Sequence, residues 1–339
     1  MERHDVVVIG AGVMGLASAW ALRRAGRDVV VLEQFELGHD RGSSHGSTRM
    51  TRLAYDEAEW VPLAQESLTL WRELEAQTAC DILELTGFLD TGRDPAALRT
   101  ALDANGAEYE LLTAADVNRR FRIALDGSEA VLDPNGGFMW AERAMSALRN
   151  GVDVAENTRV LSLEQSDAGV RLETSAGPLD AQAVVVAAGP WAPALLATAG
   201  IELDVRVTRE TVVFYELPGD VKFPSLADWS LPEGRGLHFA LPAGGGLLKA
   251  GLHFGGSLAD PDYPGEPDPA VVAAVSDWVS HVFPVATSQP VGAETCFYTS
   301  TVDERFVLER HGRVLVCSAC SGHGFKLAPT IGARVAALA

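Results

Sequence analysis

At 339 residues the chain is long for one compact core, and its length favours two domains. Hydrophobic residues make up 47% and charged residues 22%, ordinary globular values that exclude disorder, collagen-like repeats and a disulfide scaffold as the main theme. A formal charge of −19 argues against nucleic acid as a partner, because phosphate neutralisation needs clustered cations.

Residues 5–10, Asp-Val-Val-Val-Ile-Gly, predict a short buried strand of parallel type. Gly10, Gly12 and Gly15 follow as G-x-G-x-x-G. A helix over 14–25 comes next, with apolar Leu16, Ala19, Trp20 and Leu22 and a stop at Gly26. A second strand over 28–32 leads into Glu33, 23 residues after Gly10. In this order the pieces describe a dinucleotide site. Gly10 makes the tight turn, Gly12 lets backbone approach a pyrophosphate, and Gly15 lets the helix pack close to the strand. Glu33 can accept both ribose hydroxyls, which disfavours a 2′-phosphate. The unit does not separate FAD from NAD, and a bare Gly turn is the plain alternative to the motif taken alone.

Residues 41–52 read as a small polar loop able to run along an extended dinucleotide, or as a solvated Gly/Ser loop. Helices are expected over 66–79, 95–104, 141–148 and 269–282, and from 325 to the end. A strand over 82–89 and a turn cluster over 131–137, around Asp133-Pro-Asn-Gly-Gly, precede strands near 160, 170–174 and 182–187. The last of these ends in a turn at 188–191. From 206 onward alternating strands are expected over 211–217, 237–241, 246–253 and 294–301, with a final strand over 314–316. The fold class is therefore α/β. A discontinuous Rossmann-type cofactor domain (1–83, 140–207, 302–339) is expected to carry a strand-rich α+β substrate domain (84–139, 208–301).

The longest nearly apolar run, 183–197, is 15 residues with two prolines, too short and broken to span a bilayer. No basic segment precedes the first strand, so neither a signal peptide nor a membrane association is expected. Four cysteines, at 80, 296, 317 and 320, fit a reducing, cytoplasmic setting.

Of the 27 basic residues 24 are Arg, so Lys249 and Lys326 stand out among only three Lys. Alternation puts Lys249 on one strand face with Leu247 and Gly251, opposite Leu248 and Ala250. A Lys in so apolar a strand either snorkels at a sheet edge or meets a partner. Cys296 lies in an alternating strand, where most free Cys are small buried hydrophobes. Cys317-Ser-Ala-Cys320 lacks the second pair that a zinc site needs, and a strand ends where a redox motif needs a helix; no metal is expected. Arg52 and Lys326 are either a pair of solvated surface cations or a forked contact and a point charge suited to one carboxylate, and Gly322-His-Gly-Phe-Lys326 is a turn that opens a helix and aims N–H groups at an anion.

Five blocks together carry a resemblance: residues Val8 to Gly15, Ser44-His-Gly-Ser-Thr-Arg49, Arg52, Thr295-Cys-Phe-Tyr298 and Ser321-Gly-His-Gly-Phe-Lys326. Across almost its whole length the chain resembles the monomeric sarcosine oxidase and N-methyltryptophan oxidase family of D-amino-acid-oxidase-like flavoproteins. The resemblance implies an FAD-dependent oxidase of a secondary α-amino acid, N-methyl or cyclic, that passes hydride to flavin and electrons to O2, giving hydrogen peroxide. It also admits an FAD-dependent dehydrogenase, or a D-amino-acid or glycine oxidase, of the same fold.

By resemblance Cys296 carries FAD through a thioether, nearby cations lowering its thiol pKa, with Cys320 as a rival attachment point. Lys249 activates oxygen, Arg49 packs beside the flavin, and His253 and Tyr298 line the pocket. Arg52 and Lys326 hold the substrate carboxylate. Gly10, Gly12, Gly15, Glu33, Ser44, His45, Thr48, Gly322, His323 and Gly324 serve the cofactor. The partners implied are a small amino acid and O2, with the protein a monomer or weak oligomer. Three departures stand against the pattern. Phe239 replaces an aromatic hydroxyl, the link from Arg149 to Asp153 is short, and the family normally continues past the position of Ala339.

Overall fold

The first strand, Arg3–Ile9, has Val6, Val7 and Val8 fully buried, as a strand covered on both faces requires. In the computed structural model, which describes residues 3–126, 129–219, 221–232, 236–263, 265–318 and 320–339, this strand runs parallel to Val29–Leu32 on one side and to Gly177–Val186 on the other. They form the centre of an eight-stranded sheet that Asp153–Ala155 closes beyond Val29–Leu32. Past Gly177–Val186 lie the antiparallel strands Val160–Ser166 and Gly169–Thr174 and, along its second half, the parallel strand Val314–Ser318 backed by Val307–His311.

Helix Val13–Arg24 packs over this sheet, and Ile331 and Val335 of the last helix, Ala328–Leu338, join Leu16 and Ala17 in one core cluster. The approach of helix to strand is set by glycine. A Cβ on Gly15 would lie 1.8 Å from the Gly10 carbonyl oxygen, and Gly10 itself turns at φ +100°. Gly15→Ala must therefore push the helix off the strand, an overpacking cost of about 3 kcal/mol or more. The expected result is a protein with a lowered Tm; a Tm equal to that of the wild type would contradict it.

A nine-stranded sheet builds the other half. Its path runs Ser257–Leu258, Arg206–Glu216, Leu247–His253, Leu237–Gly244, Ser225–Asp228, Phe88–Thr91, Ala130–Asp133 and Glu110–Leu112, with Gly292–Ser300 on the far side of Arg206–Glu216. Helix Pro269–Val282 covers one face: Val275 and Val279 pack with Leu248 and Ala250. By strand alternation Lys249, Gly251 and His253 project to the opposite face, where the cavity lies. A small third sheet joins Thr48–Thr51, Gly137–Trp140 and Leu83–Glu84.

Several expectations need correction. The loop expected over 41–52 ends in a strand, Thr48–Thr51, because Gly137–Trp140 offers it a partner. The strand expected over 82–89 is two, Leu83–Glu84 and Phe88–Thr91, in different sheets, separated by a bend at Gly87 (φ +92°). The turn cluster expected over 131–137 is a turn between two strands of different sheets, Ala130–Asp133 in the nine-stranded sheet and Gly137–Trp140 in the three-stranded one. The helix expected from 66 begins at Trp60, and the terminal helix is preceded by a 3-10 turn, Phe325–Leu327. Among the described residues no helix is long and apolar enough to cross a membrane.

Candidate active site

One cavity of about 990 Å³ runs between the two large sheets, from Glu33 to Lys326. Every candidate site residue named from sequence lines it except Gly15, whose part is to seat the helix beneath.

At one end Glu33 is 5% exposed and accepts from the amide N–H of Ala11 at 2.7 Å and of Phe35 at 3.1 Å. Burial alone would push its carboxyl up, but hydrogen bonds from His39, Ala11 and Phe35 outweigh it, so the carboxyl lies below its ordinary range. A fixed anion here suits ribose hydroxyls and repels a phosphate. Ser44 Oγ accepts from Val13 N at 3.0 Å, capping a helix whose own N-cap residue, Gly12, offers no side chain. The helix N-terminus thus faces the cavity beside a polar loop.

Midway, Arg49 binds the loop to itself. It donates to the carbonyls of Thr48 (2.9 Å), Ser43 (2.8 Å) and His45 (2.5 Å), and its guanidinium lies 5.4 Å from the Phe325 ring centre. Thr48 Oγ1 donates to Pro242 O at 2.8 Å, tying the loop to the second sheet. Lys249 is 6% exposed and donates to Thr48 O at 3.3 Å. Burial, then repulsion by Arg49, brings its ammonium down to about 7. The same two causes bring His45 down to about 4, and its Nε2 is buried without a partner.

Cys296 opens into the cavity from strand Gly292–Ser300, and here one expectation reverses. The expected cations are present, since Arg49 and Lys249 both pull the thiol down, but burial outweighs them and raises it. Cys317, at the end of its strand, is 3% exposed, and burial raises its thiol to about 12.

At the far end Arg52 lies 4.4 Å from the Tyr55 ring centre and 5.1 Å from that of Phe88. The chain leaving it is fixed by buried Asp133, whose carboxylate accepts from Leu53 N (2.6 Å) and Ala54 N (3.2 Å). Arg52 Nη1 is buried with no hydrogen-bond partner, Asp90 being 3.8 Å away. Lys326 is 8% exposed, with Nζ 5.8 Å from the Tyr55 ring centre and donating to His323 O at 3.1 Å. Burial and the Arg52 charge hold its ammonium well below the usual range. Two like charges flanking one ring, one with an idle donor, call for an anion between them.

His253 and Tyr298 meet at 3.4 Å, and burial, then Arg52, brings His253 down to about 3, leaving the imidazole neutral. Gly322 (φ +73°) passes so close that a Cβ would lie 2.4 Å from the His253 ring and 2.5 Å from Tyr298. The sequence predicts that the turn it opens aims its N–H groups at an anion, but not all of them are free to do so. Those of His323 and Gly324 are taken by the Cys320 carbonyl at 2.9 and 3.0 Å. The His323 ring packs with Trp60, Tyr55 and Phe306, and burial brings it down to about 3.

Sequence reasoning missed Tyr55, Trp60 and Trp229 in the lining, and the acids Asp56, Glu57 and Glu304. Burial and repulsion by Glu57 push the Glu304 carboxyl up. Tyr55, three residues after Arg52, carried a weak positional signal; the others carried none.

The model of the family described as FAD dependent oxidoreductase (DAO) matches residues 5–338. The chain belongs to that family. Within it, the chain is 31% identical to monomeric sarcosine oxidase of Bacillus sp. (strain B-0618), covering 100% of this chain and 93% of that protein. It is 30% identical to N-methyl-L-tryptophan oxidase of Yersinia pestis (strain Pestoides F), over 99% and 94%. Among solved structures it is similar to NikD, described as an unusual amino acid oxidase, with a TM-score of 0.90 and 27% identity over 100% of this chain and 94% of that one.

The cofactor of this family is FAD, and the residues of this FAD-dependent oxidoreductase fit it. A buried acid holds the Ala11 N–H inside the glycine turn and lines the cavity beside it, and the His45 Nε2 is buried without a partner where the cavity turns cationic.

Proposed function

We propose that the chain is an FAD-dependent oxidase of a secondary α-amino acid, N-methyl or cyclic, with O2 as acceptor and hydrogen peroxide as product. The observation that carries the reading is the Arg52–Tyr55–Lys326 group, with its idle Nη1, in the same cavity as Lys249 and Cys296. Gly10, Gly12, Ser44 and Glu33 would hold the dinucleotide half of FAD. His45, Thr48, Arg49 and the turn Gly322–His323–Gly324 would hold the ring half, attached covalently at Cys296. FAD, when bound, accepts a hydride from the amine carbon and returns the electrons to an acceptor.

The chain supplies orientation and charge. Arg52 forks onto the carboxylate while Lys326 adds a point charge, which fixes the α-carbon in the cavity. The same cations lower the pKa of the bound ammonium, so they favour the neutral amine whose lone pair assists hydride departure. Neutral His253, held by Tyr298, adds a polar wall without a further charge. Lys249 holds a positive charge where superoxide develops.

The sheets support the domain division: strands of the first sheet fall in 1–83, 140–207 and 302–339, those of the second in 84–139 and 208–301 apart from the first two residues of Arg206–Glu216. Four free cysteines support a reducing, cytoplasmic setting, and nothing in the reading needs more than a monomer. Arg52→Met is expected to lower kcat/KM for the amino acid by about 10- to 100-fold, the worth of a hydrogen-bonded charge, with flavin content unchanged. Stopped-flow reduction without oxygen measures it. Equal rates in variant and wild type would remove Arg52 from the clamp.

A further inference from the structure

Glu210 is 3% exposed, and no step above uses it. It stands on strand Arg206–Glu216 directly across from Cys296 on Gly292–Ser300, as Thr208 stands across from Tyr298. Cross-strand neighbours of this kind have Cβ atoms roughly 4.5–5.5 Å apart. Thiol, phenol and carboxylate therefore share one face of the strand pair. The carboxylate accepts from Thr208 Oγ1 at 2.6 Å and from Gly256 N at 2.9 Å, neutral donors both.

We propose that Glu210 is the proton acceptor that releases the Cys296 thiolate for flavin attachment. The proposal rests on the covalent reading above. The groups that act on Cys296 are Arg49, Lys249, Glu210 and Cys320. Arg49 cannot take a proton, and its guanidinium is spent on three carbonyls. Lys249 donates to Thr48 O, and Cys320 is itself a thiol and offers no base of another kind. Glu210 stands directly opposite Cys296 in register, and burial raises its carboxyl, as suits a base.

The thiol proton goes to Glu210, a C–H bond of the flavin 8-methyl group breaks with its proton passing to the ring, and the thiolate electron pair forms the C–S bond. The electron pair of the broken C–H bond remains on the ring system, which takes the second proton back from Glu210 and ends reduced with two hydrogens, leaving the carboxylate regenerated. Dioxygen then reoxidises it and leaves as hydrogen peroxide.

Apoprotein mixed with FAD tests this, with free binding followed by quenching of flavin fluorescence and attachment by in-gel fluorescence after denaturation. Glu210→Gln keeps an oxygen for Gly256 and is expected to bind FAD as wild type does but to attach it at least ~100-fold more slowly. Glu210→Asp is expected to recover part of the rate. A second measurement is the pH profile: wild-type attachment should rise only until the Glu210 carboxyl is ionised and then level off, whereas in Glu210→Gln it should climb steadily as the thiol ionises unaided. Wild-type rate in Glu210→Gln, or a steady climb in the wild type, overturns the proposal. A wild type that binds FAD and never retains it overturns instead the covalent reading beneath it.

Discussion

Cys296→Ser is expected to bind FAD and release all of it on denaturation. Acid precipitation followed by filtration should leave the wild-type pellet yellow and its filtrate clear, and reverse both for the variant. The reason is chemical: a thiolate attacks an electron-poor carbon that a serine hydroxyl, ionising far outside the neutral range, does not. Geometry makes the effect complete. Cys296 opens into the cavity beside Arg49 and Lys249, whereas Cys317, though it too lines the cavity, is 3% exposed, has its thiol raised to about 12 and has only Ser18 to offset its burial. Cys320 also lines the cavity, so Cys320→Ser is the necessary control. It should keep its flavin. Colour retained by Cys296→Ser and lost from Cys320→Ser would reassign the attachment.

The second large effect is on oxygen. Lys249→Met is expected to slow reoxidation of reduced flavin by roughly 10²- to 10³-fold, the cost of removing one preorganised charge from a transition state. Anaerobic reduction should change only a few-fold, because the substrate clamp lies elsewhere, at Arg52 and Lys326. Equal slowing of both half-reactions would refute the role.

The ionisation of Lys249 adds a sign. Its ammonium is held down to about 7 in the fold against 10.5 for a free lysine. Only the protonated form can stabilise superoxide, so the oxygen step should fall as pH rises through about 7. Stability moves the other way. Between about 7 and 10.5 the unfolded chain binds more protons at this position, so the contribution of Lys249 to stability grows with pH across that window.

The dinucleotide unit was legible because its requirements are local. Gly10, Gly15 and Glu33 each answer a backbone or charge demand within one strand–helix–strand unit, and periodicity marks the elements. The long strands Leu247–His253 and Gly292–Ser300 were legible for the same reason, since alternation shows which residues share a face.

What failed depended on partners far away in sequence. Thr48–Thr51 is polar and reads as a loop, and only Gly137–Trp140 makes it a strand. Short strands such as Asp153–Ala155, Ser225–Asp228 and Val307–His311 carry too few residues for a period and exist because neighbours complete their ladders. At the site, the cations near Cys296 were foreseen but not the degree of its burial, which depends on how both sheets close over it. The lining residues Trp229 and Glu304 come from loops whose composition says nothing about the cavity they reach.

The most direct test of the central claim is an anaerobic screen in which purified holoprotein is mixed with sarcosine, N-methyltryptophan, pipecolate, proline and a set of D-amino acids, and the flavin absorbance is followed. A secondary α-amino acid is expected to bleach the flavin, and admitting air is expected to restore the yellow colour with one peroxide formed per turnover. Bleaching by none of the secondary amino acids, or by primary D-amino acids alone, would contradict it.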